Sequence, residues 1–230
     1  MAKIRGIYLI LEFVITVLMV ILFLYLFPKK SHKIRRTWAR LQTFLMGFKI
    51  KEVGKPDLEA KLLIMNHQSV VDIIALEAIY PKDECWVAKK EIEDIPLFGY
   101  IIKAPKMISI DRNDKRSIVK IIKQAKERIK DGRVISIFPE GTRGDGKKLL
   151  KFKSGAKIIA EKLNLKVQPI LILNSRYIFD SKNLTAHSGE VTVIYLDSID
   201  PKEDENWFEN MKKNMQKRLD NELANNLSNR

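Results

Sequence analysis

The sequence predicts an α/β domain, a mixed and largely parallel sheet flanked by helices, preceded by an N-terminal membrane-associated helical segment. Three observations predict it. From residue 61 onward, short apolar runs alternate with helical patterns. Residues 6–27, GIYLILEFVITVLMVILFLYLF, are apolar almost throughout, broken only by Glu12 and Thr16 among polar side chains of note. A strongly basic flank follows them at once.

As a helix of about 1.5 Å rise per residue, residues 6–27 reach about 33 Å, enough to cross a bilayer core. The run is too long for the apolar region of a signal peptide, and Pro28 ends it. Two membrane arrangements fit. One is a spanning helix with its basic flank on the cytoplasmic side. The other is a helix dipping into one leaflet, paired with the amphipathic segment RRTWARLQTFLMGF at 35–48 lying at the surface. Glu12 is costly in lipid and favours the shallower arrangement. Both place the rest of the chain on the cytoplasmic face of the cell membrane. The expected organisation is an anchoring segment at 1–55 and a catalytic domain at 56–230.

The remaining elements follow in order. Strands are expected at 61–65, 84–88, 107–110, 134–138, 167–173 and 190–196. Helices are expected at 70–80, 96–104 (opened by Pro96), 114–132 (stopped by Gly132) and 154–164. A charged amphipathic helix at 204–226 closes the chain as a lid on the sheet.

Composition narrows the class. Hydrophobic residues make up 46% and charged residues 30%, a globular balance. The single cysteine, Cys85, leaves no intramolecular disulfide to form and fits a reducing compartment. The net charge of +14 seeks anions: headgroups of an anionic membrane surface, phosphorylated substrates or nucleic acid.

In such folds ligands bind beyond the carboxyl ends of strands. Three loops there concentrate polar residues. NHQSVVD holds Asn66, His67 and Asp72, DRND holds Asp111 and Arg112, and PEGTRGDG holds Glu140, Gly141, Thr142 and Arg143. Lys151 and Lys153 stand ahead of the helix at 154–164, where free N–H groups favour a phosphate. His67 and Asp72 are five apart, about 140° off one face of a helix, so they meet only if His67 precedes the helix and Asp72 opens it. Asp72 then orients one imidazole nitrogen and frees the other as a base. The other histidines, His32 and His187, lie in a basic flank and a polar loop. Metal-ligand spacing, a Walker glycine loop and a G-x-S-x-G elbow are all missing from the sequence.

Taken together these blocks resemble the glycerolipid acyltransferase family, the 1-acyl-sn-glycerol-3-phosphate (lysophosphatidic acid) acyltransferases in particular. NHQSVVD at 66–72, the strand ending in Asp-Arg at 108–112, FPEGTR at 138–143 and Val-x-Pro at 167–169 stand in the family's order, across roughly residues 60–200. The resemblance implies transfer of a fatty acyl group to the free hydroxyl of lysophosphatidic acid, forming phosphatidic acid in phospholipid biosynthesis. It implies His67 as general base, Asp72 as its orienting partner, and direct attack by the substrate alcohol without an acyl-enzyme. Asn66, Glu140, Gly141, Thr142 and Arg143 are implied as substrate-binding, with Arg112 and Lys153 on the acceptor phosphate. Coenzyme A or acyl carrier protein brings the acyl group as a substrate; no cofactor, metal or nucleic acid is implied. Another lysolipid, such as a lysophospholipid or lyso-ornithine lipid, is the alternative acceptor. A membrane-tethered nucleic-acid-binding protein would explain the charge but leave both blocks as coincidence, and the basic stretch lacks interleaved aromatics.

Overall fold

The computed structural model describes residues 1–111 and 117–228. Helix α1 (Ala2–Leu26) is followed by a 3-10 turn at Pro28–Lys30 and helix α2 (Ser31–Leu45). Then come β1 (Phe48–Val53), β2 (Leu62–Met65), α3 (Val71–Ile79), β3 (Glu84–Lys89), and the short helices α4 (Lys90–Glu93) and α5 (Tyr100–Lys103). β4 (Ile108–Ile110), α6 (Ser117–Lys130), β5 (Val134–Ile137), α7 (Gly155–Leu163) and β6 (Val167–Leu173) complete the central part. Helix α8 (Ser175–Ile178), a small hairpin of β7 (Phe179–Asp180) and β8 (Thr185–Ala186), β9 (Gly189–Tyr195) and α9 (Trp207–Ser228) finish the chain.

Seven strands form one sheet in the order β1-β9-β6-β2-β5-β3-β4. Every neighbouring pair is parallel except β6 with β9, so β1 and β9 run against the other five. The expected fold class is the observed one. β2, β5 and β6 are buried at every position, as strands covered on both faces must be.

Side-chain alternation along the strands sorts the helices into two layers. Leu62, Ile64, Ile135 and Leu171 point to the layer of α6, α7 and α9, where Ile121, Ile159 and Trp207 meet them. Leu63, Met65, Ile170 and Val193 point to the other layer, where α1, α2, α3 and α8 contribute Leu9, Ala39, Ile74 and Ile178. The apolar amino-terminal helix therefore lies on one side of the sheet and the lysine-rich α6 on the opposite side.

Some elements depart from the sequence reading. β1 lies inside the segment assigned to anchoring, and it pairs residue for residue with β9. Its run FKIKEV carries lysines at 49 and 51, which an edge strand tolerates because one row of its backbone faces solvent. The helix expected at 96–104 shortens to Tyr100–Lys103, because Leu97 adopts φ 63° and Gly99 lies against Glu93 O, where a Cβ would come within 1.9 Å. The helix expected from 114 is described from Ser117. α4, α8 and the β7–β8 hairpin are too short to leave a periodic signal.

Most of the amphipathic segment expected at 35–48 lies in helix α2, which packs on the protein, and Phe48 opens β1. Arg35, Ala39 and Gln42 form its buried face. Arg35 pairs with Glu77 of α3 and with Asp83. Between the two amino-terminal helices, Gln42 Nε2 donates to Glu12 Oε1 at 2.7 Å and to Thr16 Oγ1 at 2.9 Å. The two polar residues that interrupt the apolar run thus face a protein partner.

Candidate active site

The site is built at the carboxyl ends of β2, β5 and β6, which the parallel pairing brings to one edge. After Met65 the chain leaves β2 and turns before α3 begins. Asp72, in the first turn of α3 and fully buried, shapes that turn. Its Oδ2 accepts the backbone N–H of Gln68 at 2.6 Å and that of Ser69 at 2.9 Å. The loop so drawn in brings His67 Nδ1 to 2.8 Å from the same oxygen. The five-residue spacing therefore works as expected, with His67 ahead of the helix and Asp72 inside it. A carboxylate can only accept, so Nδ1 carries a proton, and in the neutral imidazole the lone pair stands on Nε2. The side chain of His67 is 14% exposed, enough to meet a substrate from one side.

The other blocks hold this loop in place. Glu140 Oε1 accepts the His67 N–H at 3.0 Å, its Oε2 accepts Leu150 N–H at 3.0 Å, and Gly144 N–H donates to His67 O at 2.8 Å. Burial pushes the Glu140 carboxyl up, opposed by the N–H groups of His67 and Leu150. Gly141 takes φ 69°, which lets the chain turn directly after Glu140. Asn66 exchanges two hydrogen bonds with the backbone of Ile172 in β6, Nδ2 donating at 2.9 Å and Oδ1 accepting at 2.7 Å. Gln68 Nε2 donates to the same Ile172 oxygen at 2.9 Å. Where β2 and β6 part, two side chains thus replace the missing ladder bonds.

Asn66 and Glu140 were expected on substrate; their side-chain atoms are engaged with the protein backbone. Thr142 and Arg143 are exposed, and Arg143 Nη1 donates to Ser181 Oγ at 2.9 Å. Lys153 is exposed and lines a cavity of about 270 Å³ together with Phe138, Pro139, Gly141 and Asp111. Arg112 lies outside the described residues. A second cavity of about 340 Å³ is lined by Gln68, Arg176, Tyr177 and His187. Among the described residues no three His, Cys, Asp or Glu side chains converge as a metal site.

Sequence reasoning also missed an aromatic contact to His67. The Phe138 ring stacks on the His67 imidazole with centroids 4.0 Å apart and planes 16° apart. Phe138 stood in the quoted FPEGTR block, yet its apolar character marked it only as the end of a strand.

Residues 49–173 match the model of the Acyltransferase family. The chain is also 43% identical over 209 residues to a 1-acyl-sn-glycerol-3-phosphate acyltransferase of Helicobacter pylori, covering 89% of this chain and 88% of that one. The chain belongs to the acyltransferase family. Among more distant relatives of this acyltransferase, a lyso-ornithine lipid O-acyltransferase of Rhizobium meliloti is 32% identical over 135 residues, which is 58% of this chain and 46% of that protein. In fold it is similar to the crystal structure of the 1-acyl-sn-glycerophosphate acyltransferase of Thermotoga maritima. The TM-score is 0.77 over 97% of this chain and 98% of that one, at 24% identity. The mixed seven-stranded sheet is thus an acyltransferase fold, with the 66–72 and 138–143 blocks meeting at the carboxyl ends of its central strands.

Proposed function

We propose that this acyltransferase transfers a fatty acyl group from coenzyme A or acyl carrier protein to the sn-2 hydroxyl of lysophosphatidic acid, forming phosphatidic acid. The observation that carries the reading is the 2.8 Å contact of His67 Nδ1 with buried Asp72. The relative at 43% identity supports the acceptor.

In this reading Nε2 takes the proton of the acceptor hydroxyl as its oxygen attacks the thioester carbonyl. The new carbon–oxygen bond forms a tetrahedral oxyanion, and the imidazolium is stabilised by Asp72. Collapse breaks the carbon–sulfur bond, and His67 returns the proton to the departing thiolate. The substrate alcohol is the nucleophile, so the enzyme needs none of its own. Arg112, Arg143 and Lys153 supply positive charge for the acceptor phosphate, Lys153 from the wall of the smaller cavity.

The amino-terminal helices act as the membrane anchor. α1 is long and apolar enough to cross a bilayer, and 22% of its most apolar stretch is buried. Its inner face meets protein along its length: Arg5 donates to Met46 O, Leu9 joins the core, and Leu24 is buried. Leu11, Ile15, Leu22 and Phe23 are exposed on the outer face, with Phe44 of α2. A helix that lies along its own domain supports the single-leaflet arrangement on the cytoplasmic side over a span.

The test is acyl transfer by detergent-purified protein offered lysophosphatidic acid, lyso-ornithine lipid and lysophospholipids, with each donor. Phosphatidic acid as the dominant product is expected. Product from lyso-ornithine lipid alone would keep the chemistry and replace the acceptor, an outcome for which the Rhizobium relative gives a specific reason.

A further inference from the structure

Behind His67 runs a column of contacts that the proton transfer does not itself use. Phe138 stacks on His67, and Trp86 stacks on Phe138 with centroids 5.4 Å apart and planes 21° apart. Trp86 Nε1 donates to Glu77 Oε1 at 2.9 Å, and Glu77 is ion-paired to Arg35 of α2. Trp86, Glu77 and Arg35 are all buried. The sheet register produces the stack. Trp86 is the partner of Ser136 across β3 and β5, and Phe138, two residues further, projects on the same face.

We infer that Trp86 is a positioning residue for the catalytic histidine, acting through Phe138, and that Glu77 and Arg35 hold it from the amino-terminal helix pair. The inference rests on the proposed role of His67. Asp72 fixes one atom of the imidazole but leaves the ring able to pivot about the Nδ1···Oδ2 axis. A flat ring against its face removes that freedom, and Phe138 itself borders a cavity and needs backing. Trp86 supplies that backing, and its indole N–H fixes its own plane against Glu77. The aromatic face also favours the positive charge that His67 carries while holding the substrate proton. A membrane-facing helix is thereby linked to the catalytic ring by four successive contacts.

The experiment compares wild type, Trp86→Leu and Trp86→Phe in detergent by steady-state kinetics, thermal melting and NMR of histidine-labelled protein. Three histidines make that spectrum simple, and His32→Gln with His187→Gln identifies the His67 signals. Protons above an aromatic face are shielded, so the His67 ring protons are expected upfield in wild type and Trp86→Phe. Trp86→Leu is expected to move them downfield and to lower kcat about tenfold, with both KM values within about twofold, as for a misplaced catalytic group. Unmoved His67 signals in a folded Trp86→Leu protein would overturn the inference, as would an undiminished kcat. Should Trp86→Leu fail to fold, Phe138→Leu asks the same question of a ring on a cavity wall, with the same expected and contradicting results. The spectra do not depend on turnover. His67 signals that respond as stated in a protein inactive on every lysolipid would uphold the positioning and refute the functional reading.

Discussion

The Glu140 carboxylate accepts the backbone N–H of His67 at 3.0 Å while its other oxygen accepts that of Leu150. One buried side chain from the FPEGTR block thereby fixes the backbone of the NHQSVVD block. Glu140→Ala leaves two N–H groups without acceptors, with an expected stability loss of about 1–3 kcal/mol. The loop that carries His67 loosens, so kcat should fall about tenfold or more, by the cost of a misplaced catalytic group. Urea unfolding and kinetics check both; intact kcat would mean that Asp72, Asn66 and the Gly144 bond hold the loop without Glu140.

Asn66 makes a related prediction with a different signature. Its amide occupies both the N–H and the C=O of Ile172. Asn66→Ala should cost about 1–3 kcal/mol through those buried groups. The KM for the acceptor should stay near wild type. A raised KM with unchanged stability would return Asn66 to the substrate.

Much of this site was legible in sequence because its chemistry lives in short loops between strongly patterned elements. The apolar runs at 62–65, 134–137 and 167–173 announced buried strands, and a histidine and an aspartate on either side of a helix start announced their meeting. Long-range partners were not legible. Nothing at Glu140 says that it binds the backbone of His67, 73 residues away, and nothing at Asn66 points to Ile172, 106 residues away. Those contacts exist only once the sheet order is set. β1 escaped notice because lysines break its apolar pattern, and Glu12 read only as a costly charge in lipid because its partner Gln42 is 30 residues distant.

Glu84 gives the protein a pH-dependent stability. Both its carboxyl oxygens are buried without a hydrogen-bond partner among the described residues. Burial pushes its carboxyl from the ordinary 4.5 up to about 8, against the opposing pull of Arg35. Between these values the folded protein keeps a proton that the unfolded chain releases. Stability at this site is therefore fully present below the lower value and falls as pH rises towards the upper one, by at most about 1.4 kcal/mol per pH unit. Urea midpoints at about pH 5 and about pH 8 should differ more in wild type than in Glu84→Gln. Equal differences would assign the slope to other groups.

The outer face of the amino-terminal helices should carry membrane binding. Leu22 and Phe44 are exposed on α1 and α2 and make no part of the core. Leu22→Glu with Phe44→Glu should weaken flotation with anionic vesicles by about tenfold or more, as charge in the acyl boundary costs several kcal/mol. Unchanged flotation would move the membrane contact to another face.

The most direct measurement compares turnover by wild type, His67→Ala and Asp72→Asn, with melting and vesicle binding measured on the same preparations. His67→Ala is expected to fold, bind vesicles and lose about 10²–10⁴ in kcat, the usual weight of a general base. Asp72→Asn should keep the loop but lose the charge behind the imidazole, and fall in the same direction. A folded His67→Ala protein with substantial kcat would contradict the assignment of His67 as the base.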